Sequence, residues 1–435
     1  MKLLFIENRY KTFFYDKIAN QLAKSGHEIH WLIQNKQFLP SGDFEKFVIE
    51  YPTEKSVHFE EDEAVEEVIR SDRQINHFGK KDTSYFYYYN SVIKKYLKNL
   101  NPDFVFGEST AFHELLTIAN CKNQKIPYLN PSTCRYPIGR FSFYKYDSLE
   151  PYKGSNEELS IRDAEEVIDQ IINRKTVPDY MKPSPVSKQR ILEDKLKKLI
   201  SYAKGEKYNT PSPIVKYKKE KKKKRNIEVW DDSAKKLIDN SSSYKILYPL
   251  QMQPEANIDV WGKKYRDQTN LIRRLADILP DNCLLYIKPN PKSKYELTNE
   301  LISLVNNKAN IISLHHSTKM DNVLPHMHLV LTVTGTIAIE CILSNKPIAT
   351  LVKTINNKAG NCEFISILEY DLISIINKIE KKYCPLSNQE KIDFINILNR
   401  SSYKGIISDP FSDKNCMFPN NIADLVKAFE SILKK

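Results

Sequence analysis

Short apolar runs alternate with amphipathic segments along the first half of the chain. The predicted buried strands are KLLFIEN (2–8), EIHWLIQN (28–35), DFVFG (103–107) and IPYLN (126–130), and the predicted helices cover 12–24 and 111–120. A strand, a helix that ends near Gly26 and a second strand are typical of a parallel βαβ unit. The first half therefore predicts a parallel sheet with helices packed on it.

The second half shows the same alternation more regularly. Its predicted strands are KILYPL (245–250), LLYIK (284–288), IISL (311–314), HLVLTV (328–333) and PIATLV (347–352), and amphipathic segments lie near 264–279, 294–307, 318–325 and 336–344. Such alternation predicts an α/β protein with doubly wound parallel sheets. We predict two Rossmann-like domains that face each other across a cleft. The N-terminal domain is predicted to cover 1–240, with helical and polybasic insertions, and the C-terminal domain 241–435, whose last helix (421–435) packs on either domain.

Composition narrows the class of protein. The chain has 435 residues, with 66 Lys and Arg against 54 Asp and Glu, a net charge of +12. Its seven cysteines form no CxxC pair, which favours a reducing cytosol over a disulfide scaffold or a zinc site. A short first apolar run followed by Glu7 predicts no signal peptide, and no stretch approaches the roughly 20 apolar residues of a membrane span. We therefore expect a cytoplasmic protein.

Much of the positive charge lies in one short run. Residues 216–226, KYKKEKKKKRN, contain seven Lys and one Arg against Glu220. Three interpretations are open: a solvated loop or linker, a patch that attracts anionic lipid headgroups, and a nucleic-acid contact. Tyr217 is the one aromatic residue of the run, which makes it a poor platform for base stacking.

Polar residues follow several predicted strands of the second half. Ligands of open parallel sheets bind beyond the carboxyl ends of the strands, so these residues are candidates for a phosphate-containing ligand. Thr334, Gly335 and Thr336 lead into a helix whose N-terminus suits an anion. The other candidates are Lys288 as a cation for phosphate, and Gln253, Glu255 and Glu340 as groups that contact a base or a ribose. Each also fits an ordinary turn or helix position. Neither GxGxxG nor GxxxxGK[ST] occurs, which argues against NAD enzymes and P-loop NTPases.

The first half offers a carboxylate and two arginines at strand ends. Glu108, in FGEST (106–110), is suited to deprotonate a hydroxyl or to attack an anomeric carbon, and otherwise to cap a helix. Arg135 and Arg140, in PSTCRYPIGRF (131–141), suit a sugar carboxylate or a phosphate, and otherwise form part of a surface loop. We interpret the pairs His315/His316 and His326/His328 as structural, because their spacing is not that of a metal site.

Three segments together resemble a known family. YPLQMQPEANIDVWGKKYRDQTNLIRRLADILP, LLYIKPNPKS and LVLTVTGTIAIECILSNKPIATL, within 245–352, are similar to bacterial capsule and O-antigen polysaccharide glycosyltransferases that use CMP-activated acidic sugars such as Kdo. The resemblance implies a GT-B fold, a CMP-sugar donor on the C-terminal domain and a glycan acceptor on the N-terminal domain. The family's second motif carries a His that contacts the donor phosphate, and Asn290 stands at that position here. The resemblance implies that the Thr-Gly-Thr segment contacts the donor phosphate and that Glu340 contacts the ribose. Glu108 matches the acidic residue that the family has in its N-terminal domain.

The sequence thus predicts a glycosyltransferase that transfers Kdo or a related ulosonic acid from a CMP-sugar to a growing capsule, O-antigen or lipopolysaccharide. We expect a lipid-linked acceptor, the anionic inner face of the cytoplasmic membrane as a partner through 216–226, no metal cofactor and no nucleic-acid partner. One alternative is a transferase that uses a UDP-sugar or CDP-glycerol, and another is a basic nucleic-acid-binding protein. A nucleotide-sugar 2-epimerase shares the two-domain layout but needs more acid/base groups than the sequence places.

Overall fold

The strands and helices come from a computed structural model, which describes residues 1–53, 61–176, 186–238 and 241–434. The strands are β1 (Lys2–Ile6), β2 (Glu28–Ile33), β3 (Glu45–Val48), β4 (Phe104–Phe106), β5 (Tyr128–Thr133), β6 (Arg140–Lys145), β7 (Tyr244–Pro249), β8 (Cys283–Lys288), β9 (Ile311–Ser313), β10 (Leu329–Thr332), β11 (Ile348–Thr350), β12 (Cys362–Phe364) and β13 (Tyr403–Lys404). The helices are α1 (Lys11–Lys24), α2 (Glu63–Ser71), α3 (Arg73–Asn76), α4 (Ser84–Leu100), α5 (Phe112–Asn123), α6 (Ile161–Ile172), α7 (Lys188–Ala203), α8 (Pro213–Ser233), α9 (Ala256–Asp259), α10 (Gln268–Ile278), α11 (Asn299–Asn307), α12 (Ile337–Leu343), α13 (Leu368–Lys381), α14 (Asn388–Arg400) and α15 (Pro419–Leu433).

The chain forms two compact units. Unit 1 consists of Met1–Leu159, Thr176–Val215 and Asn396–Lys435, and unit 2 of Ser160–Lys175 and Lys216–Ile395. This division differs from the boundary at 240 that the sequence predicted. Burial is the physical reason, because Trp230 of α8 belongs to the core of unit 2 and Phe429 of α15 to the core of unit 1.

The sheet of unit 1 contains all four strands predicted in the first half. Its strand order is β13-β6-β5-β4-β1-β2-β3, so β3 to β5 follow the order 3-2-1-4-5 of a Rossmann sheet. The strands β1, β2, β3, β4 and β5 pair in parallel, whereas β6 is antiparallel to both β5 and β13. Phe5 stacks on Trp31 with ring centroids 5.3 Å apart, and Phe429 of α15 packs on Phe106 at 4.8 Å.

The sheet of unit 2 contains all five strands predicted in the second half, and β12 in addition. Its order is β12-β11-β10-β7-β8-β9, which is the Rossmann order 3-2-1-4-5-6, and its strands pair in parallel. The amphipathic segment near 318–325 forms two short 3-10 turns, Met320–Asn322 and Leu324–His326. The two sheets confirm the predicted α/β class with two Rossmann-like units.

The basic run 216–226 lies on helix α8. Most of its basic side chains are exposed, but Asn226 is buried and donates through Nδ2 to the Leu297 carbonyl at 2.6 Å. Tyr295 donates through its hydroxyl to Glu220 at 2.6 Å. The run is therefore part of a packed helix and not a loop or a linker. Among the helices of the described residues, none is long and apolar enough to cross a membrane.

Candidate functional site

The candidate residues of unit 2 follow three neighbouring strands. β10, β7 and β8 are adjacent in the parallel sheet, so the segments after them, 333–336, 250–255 and 289–290, emerge at the same end of the sheet. The topological switch point lies between β7 and β10, where the strand order reverses. Ligands of doubly wound sheets bind in the crevice at such a point. The structure thus brings the predicted donor-binding segments together at the position where this fold binds ligands.

The β10 end is a close-packed turn around Gly335. The Gly335 amide donates to Thr332 Oγ1 at 3.0 Å, and Gln251 Nε2 donates to the same oxygen at 3.3 Å. A Cβ atom on residue 335 would lie 2.4 Å from Thr332 Oγ1, so the turn requires glycine. Thr334 donates through Oγ1 to the Asn257 carbonyl at 3.0 Å, and Thr336 immediately precedes α12.

The β7 end is held by the Gln253 side chain. Its amide donates to Asp259 Oδ1 at 2.8 Å and to the Arg266 carbonyl at 3.0 Å, and its oxygen accepts from Gln268 Nε2 at 2.9 Å. Burial raises the pKa of Asp259 to about 6. These bonds give Gln253 a structural role in shaping the turn, which the sequence did not predict.

Glu255 lies further along the same segment and faces a cation. Lys294 Nζ donates to Glu255 Oε1 at 2.9 Å, and Asn257 Nδ2 donates to Oε2 at 3.3 Å. Because the Asn257 carbonyl also accepts from Thr334, this residue joins the segments after β7 and β10. The contacts make Glu255 and Thr334 parts of one polar cluster.

Lys288 is buried at the end of β8, with 3% of its surface exposed. Its Nζ donates to the Pro289 carbonyl at 2.7 Å and to the His316 carbonyl at 2.9 Å. Burial lowers the pKa of Lys288 to about 8, and the nearby Asp231 carboxylate opposes this shift. Asn290 accepts from the Lys292 amide through Oδ1 at 2.8 Å, so its side chain closes the turn.

Asp231 of α8 also contacts the adjacent His315 and His316. The His316 amide donates to Asp231 Oδ1 at 2.9 Å, the His316 ring contacts Oδ2, and His315 Nε2 lies 3.4 Å from Oδ2. The three groups lie close enough for one metal ion, with ligand atoms within 4.8 Å of one another, a proximity that the sequence spacing did not indicate. The same contacts join Asp231 to both histidines, and a structural role for the histidines stays a prediction.

Glu340 lies one turn into α12 and pairs with an arginine of its own unit. Arg174, just beyond α6, donates from Nη2 at 2.7 Å and from Nε at 3.1 Å to Glu340 Oε2. Burial raises the pKa of Glu340, and the Arg174 guanidinium opposes that rise. The predicted ribose-binding carboxylate thus already has a partner at Oε2, which accepts both hydrogen bonds of the guanidinium.

Glu108 of unit 1 follows β4, next to the switch point between β1 and β4. The buried carboxylate accepts from the Tyr15 hydroxyl at 2.9 Å and contacts Lys11 Nζ at 2.8 Å, both through Oε1. Burial raises the pKa of the Tyr15 phenol well above its ordinary value, and the charge of Glu108 and the hydrogen bond to it raise that pKa further.

The capping role that was the alternative for Glu108 belongs to Glu114. The Glu114 carboxylate accepts from the amides of Ala111 at 2.8 Å, Glu108 at 3.1 Å and Thr110 at 3.2 Å. It thereby satisfies donors at the start of α5 that have no partner within the helix. This leaves the Glu108 side chain directed toward Lys11 and Tyr15 and not toward the helix end.

A second buried carboxylate lies at the end of β1, on the other side of the same switch point. Glu7 accepts from the amides of Arg9 at 2.6 Å and Asn35 at 2.8 Å, and burial raises its pKa. His113 Nε2 lies 2.8 Å from the Glu7 carbonyl, and Arg9 Nη2 donates to the Asn209 carbonyl at 2.8 Å. The network fixes the backbone on this side of the switch point.

The two predicted arginines of unit 1 differ in their surroundings. Arg135 is half-buried in the turn between β5 and β6. Arg140 donates to the Ser402 carbonyl at 2.9 Å, to Ser155 Oγ at 2.9 Å and to Glu157 Oε2 at 3.0 Å. Arg140 therefore joins separate segments of unit 1, a structural role that the sequence did not predict.

Sequence reasoning missed the partners of the candidate carboxylates. Lys11 and Arg174 are 97 and 166 residues from the carboxylates that they bind. Contacts over such separations leave no local pattern. Lys294 had a weak signal, because it directly follows the segment LLYIKPNPKS (284–293) that resembles the family.

These two units define the class of fold, which is GT-B-like with two Rossmann-type sheets. Residues 152–362 match the family model of the capsule polysaccharide biosynthesis proteins. The predicted resemblance to that family is confirmed over this segment, which contains the β7, β8 and β10 ends. No curated protein sequence matches the chain.

Solved structures show distant similarity. The β-Kdo 2,7 transferase of KpsC from Thermosulfurimonas dismutans is 10% identical, with 99% of this chain and 100% of that chain covered and a TM-score of 0.38. The β-Kdo 2,4 transferase of the same KpsC is 10% identical over 75% of this chain and 87% of that chain, with a TM-score of 0.37. UDP-GlcNAc 2-epimerase from Methanocaldococcus jannaschii is 14% identical over 92% and 99%, with a TM-score of 0.29.

Proposed function

We propose that this chain is a glycosyltransferase of capsule polysaccharide synthesis that transfers Kdo or a related ulosonic acid from a CMP-sugar to a lipid-linked glycan. One observation carries the proposal: the polar segments after β7, β8 and β10 meet at the switch point of unit 2, inside the segment that matches the capsule family. A nucleotide is the ligand class that this position of a Rossmann sheet suits.

In the proposed donor site, the Thr334–Thr336 turn and Lys288 bind the phosphate of the CMP-sugar. Two of the three Lys288 N–H groups are used by carbonyls, and the third is the one that we assign to the phosphate. Glu255 and Glu340 are proposed to contact the ribose hydroxyls, and Asn290 to add a hydrogen bond. Protein cations and the start of α12 then stabilise the CMP leaving group without a metal.

We propose Glu108 as the catalytic carboxylate and Arg135 as a group that binds the sugar carboxylate or the acceptor. As a general base, Glu108 takes the proton from the acceptor hydroxyl while that oxygen bonds to the anomeric carbon and the bond from that carbon to CMP breaks. As a nucleophile, it instead bonds to the anomeric carbon as the bond from that carbon to CMP breaks, and the acceptor hydroxyl then loses its proton and displaces the carboxylate from that carbon. Arg140 is not part of the proposed site, because its guanidinium already binds Ser402, Ser155 and Glu157.

The test is a thermal-shift and calorimetric comparison of CMP, UDP, CDP, GDP and a short DNA. The proposal predicts that CMP raises the Tm most, and that CMP-Kdo then supports transfer. A larger rise in Tm with UDP or CDP would support the same site but assign it a different nucleotide donor. Binding to DNA alone, weakened by salt, would contradict an enzyme and indicate a nucleic-acid-binding protein.

Nucleotide affinity is expected to depend on the charge of Lys288. The pKa of about 8 means that the ammonium is present below that pH and lost above it. Between about pH 7 and pH 9 the Kd for CMP should therefore rise about tenfold. Lys288→Arg keeps the charge over this range and should give a flatter profile in calorimetry. The same pH dependence in both proteins would assign it to a different group.

We also propose an anionic membrane surface as a partner of α8. The exposed lysines of the run are Lys216, Lys218, Lys221, Lys222 and Lys224. Each basic group near an anionic leaflet contributes about 1 kcal/mol of attraction, which salt weakens. This surface would hold the enzyme near a lipid-linked acceptor.

A further inference from the structure

Helix α7 (Lys188–Ala203) of unit 1 carries its apolar face on the outside. Five large aliphatic side chains are 39–64% exposed: Ile191, Leu192, Leu196, Leu199 and Ile200. Their spacing places them on one side of the helix, since positions three and four apart share a face. A surface helix of a globular protein normally buries that face.

The inward face of α7 is polar instead. Asp194 and Ser201 are buried, and Lys197 Nζ lies 4.4 Å from the ring centroid of Phe38. Arg190 donates to the Pro410 carbonyl at 3.1 Å and lies over the Phe411 ring at 5.2 Å. Cation–π contacts and hydrogen bonds thus fix the rotation of the helix, and this rotation directs the leucines outward.

The exposed charges of α7 are mostly positive. Lys188, Lys195 and Lys204 are exposed along the helix, whereas Glu193 is its one exposed acid. Asp194, the other acid of α7, is buried and paired with Lys198. By the same spacing, Lys188 and Lys195 lie among the aliphatic positions. An aliphatic face that includes lysines suits the headgroup region of an anionic bilayer, because a lysine stem packs along apolar surface while its ammonium stays in the polar layer.

We propose that α7 is an interfacial membrane helix whose apolar face inserts among anionic lipids. Its 16 residues span about 24 Å along the membrane plane. An anionic lipid surface fits better than a second copy of the chain, because a symmetric contact through α7 would bring the same lysines together. The inference stands on α7 alone and does not require the proposed donor.

The experiment is co-sedimentation of the full-length protein with vesicles of phosphatidylcholine, with and without phosphatidylglycerol. The triple variant Leu192→Gln/Leu196→Gln/Leu199→Gln should bind the anionic vesicles at least about tenfold more weakly, because three side chains no longer leave water. Leu237→Gln is the matched control, since Leu237 is 81% exposed outside α7, and it should bind like the wild type. Replacement of Lys221–Lys224 by Gln should remove mainly the salt-sensitive part of binding.

Three outcomes would overturn the inference. The first is that the triple variant binds anionic vesicles as tightly as the wild type does. The second is that Leu237→Gln weakens vesicle binding as much as the triple variant does. The third is that light scattering finds the wild type as a dimer and the triple variant as a monomer. Circular dichroism and the CMP thermal shift of the triple variant show whether it is folded. Loss of vesicle binding with an intact CMP response separates this inference from the proposed donor site.

Discussion

Replacement of Glu108 by Gln is expected to lower kcat by about a thousandfold while the Kd for CMP stays unchanged. The amide has the shape of the carboxylate and still accepts from Tyr15 and Lys11, so the fold should be retained. It is neither a base nor a nucleophile at neutral pH, so the transfer step loses its catalyst. Single-turnover transfer and calorimetry with CMP measure the two quantities separately.

Tyr15→Phe is the companion variant, since it removes one hydrogen bond from Glu108 and leaves the carboxylate in place. Its kcat should fall much less than that of Glu108→Gln. If Glu108→Gln turned over at close to the wild-type rate, Glu108 would not be a catalytic residue. A parallel loss of CMP affinity would instead indicate damage to the structure.

Trp230→Ala is expected to destabilise unit 2 by about 3–5 kcal/mol. The indole is 1% exposed, lies in the core of unit 2 and donates through Nε1 to the Leu314 carbonyl at 2.9 Å. Its removal leaves a cavity and an unpaired carbonyl beside the His315–His316 segment. Urea unfolding followed by circular dichroism measures the change in the free energy of unfolding.

Val229→Ala on the same helix is the matched control, because Val229 is 41% exposed. Its effect should stay within about 0.5 kcal/mol. If Trp230→Ala were equally mild, α8 would not be an integral part of unit 2. The basic run would then be a separable segment, as the linker interpretation assumed.

The apolar runs predicted the central strands of both sheets well. A parallel strand with helices on both faces is buried on both sides, so it is a continuous apolar segment such as LLYIK in β8. The strands that were missed lack this pattern. β3 is half-buried at the end of its sheet, β13 has two residues, and β6 mixes polar and aromatic residues in an antiparallel pair.

The candidate site was predictable in position but not in contacts. Strand ends can be located in a sequence, and the strand order then brings 251–255 and 334–336 together. The role of Gln253 in its turn, the Arg174 partner of Glu340 and the segments joined by Arg140 depend on tertiary packing. Side-chain partners far apart in the chain can be assigned only after the fold is known.

Unit 1 is assembled from separated parts of the chain, with consequences for its synthesis. The ring of Phe429 packs on Phe106 and Phe143, with ring centroids 4.8 and 4.9 Å apart. All residues of unit 2 leave the ribosome before α15 does, because unit 2 ends at Ile395. The aromatic core built on the first strand therefore stays uncovered on one side until α15 (Pro419–Leu433) has been translated. A nascent chain of this protein can complete its second Rossmann unit before its first.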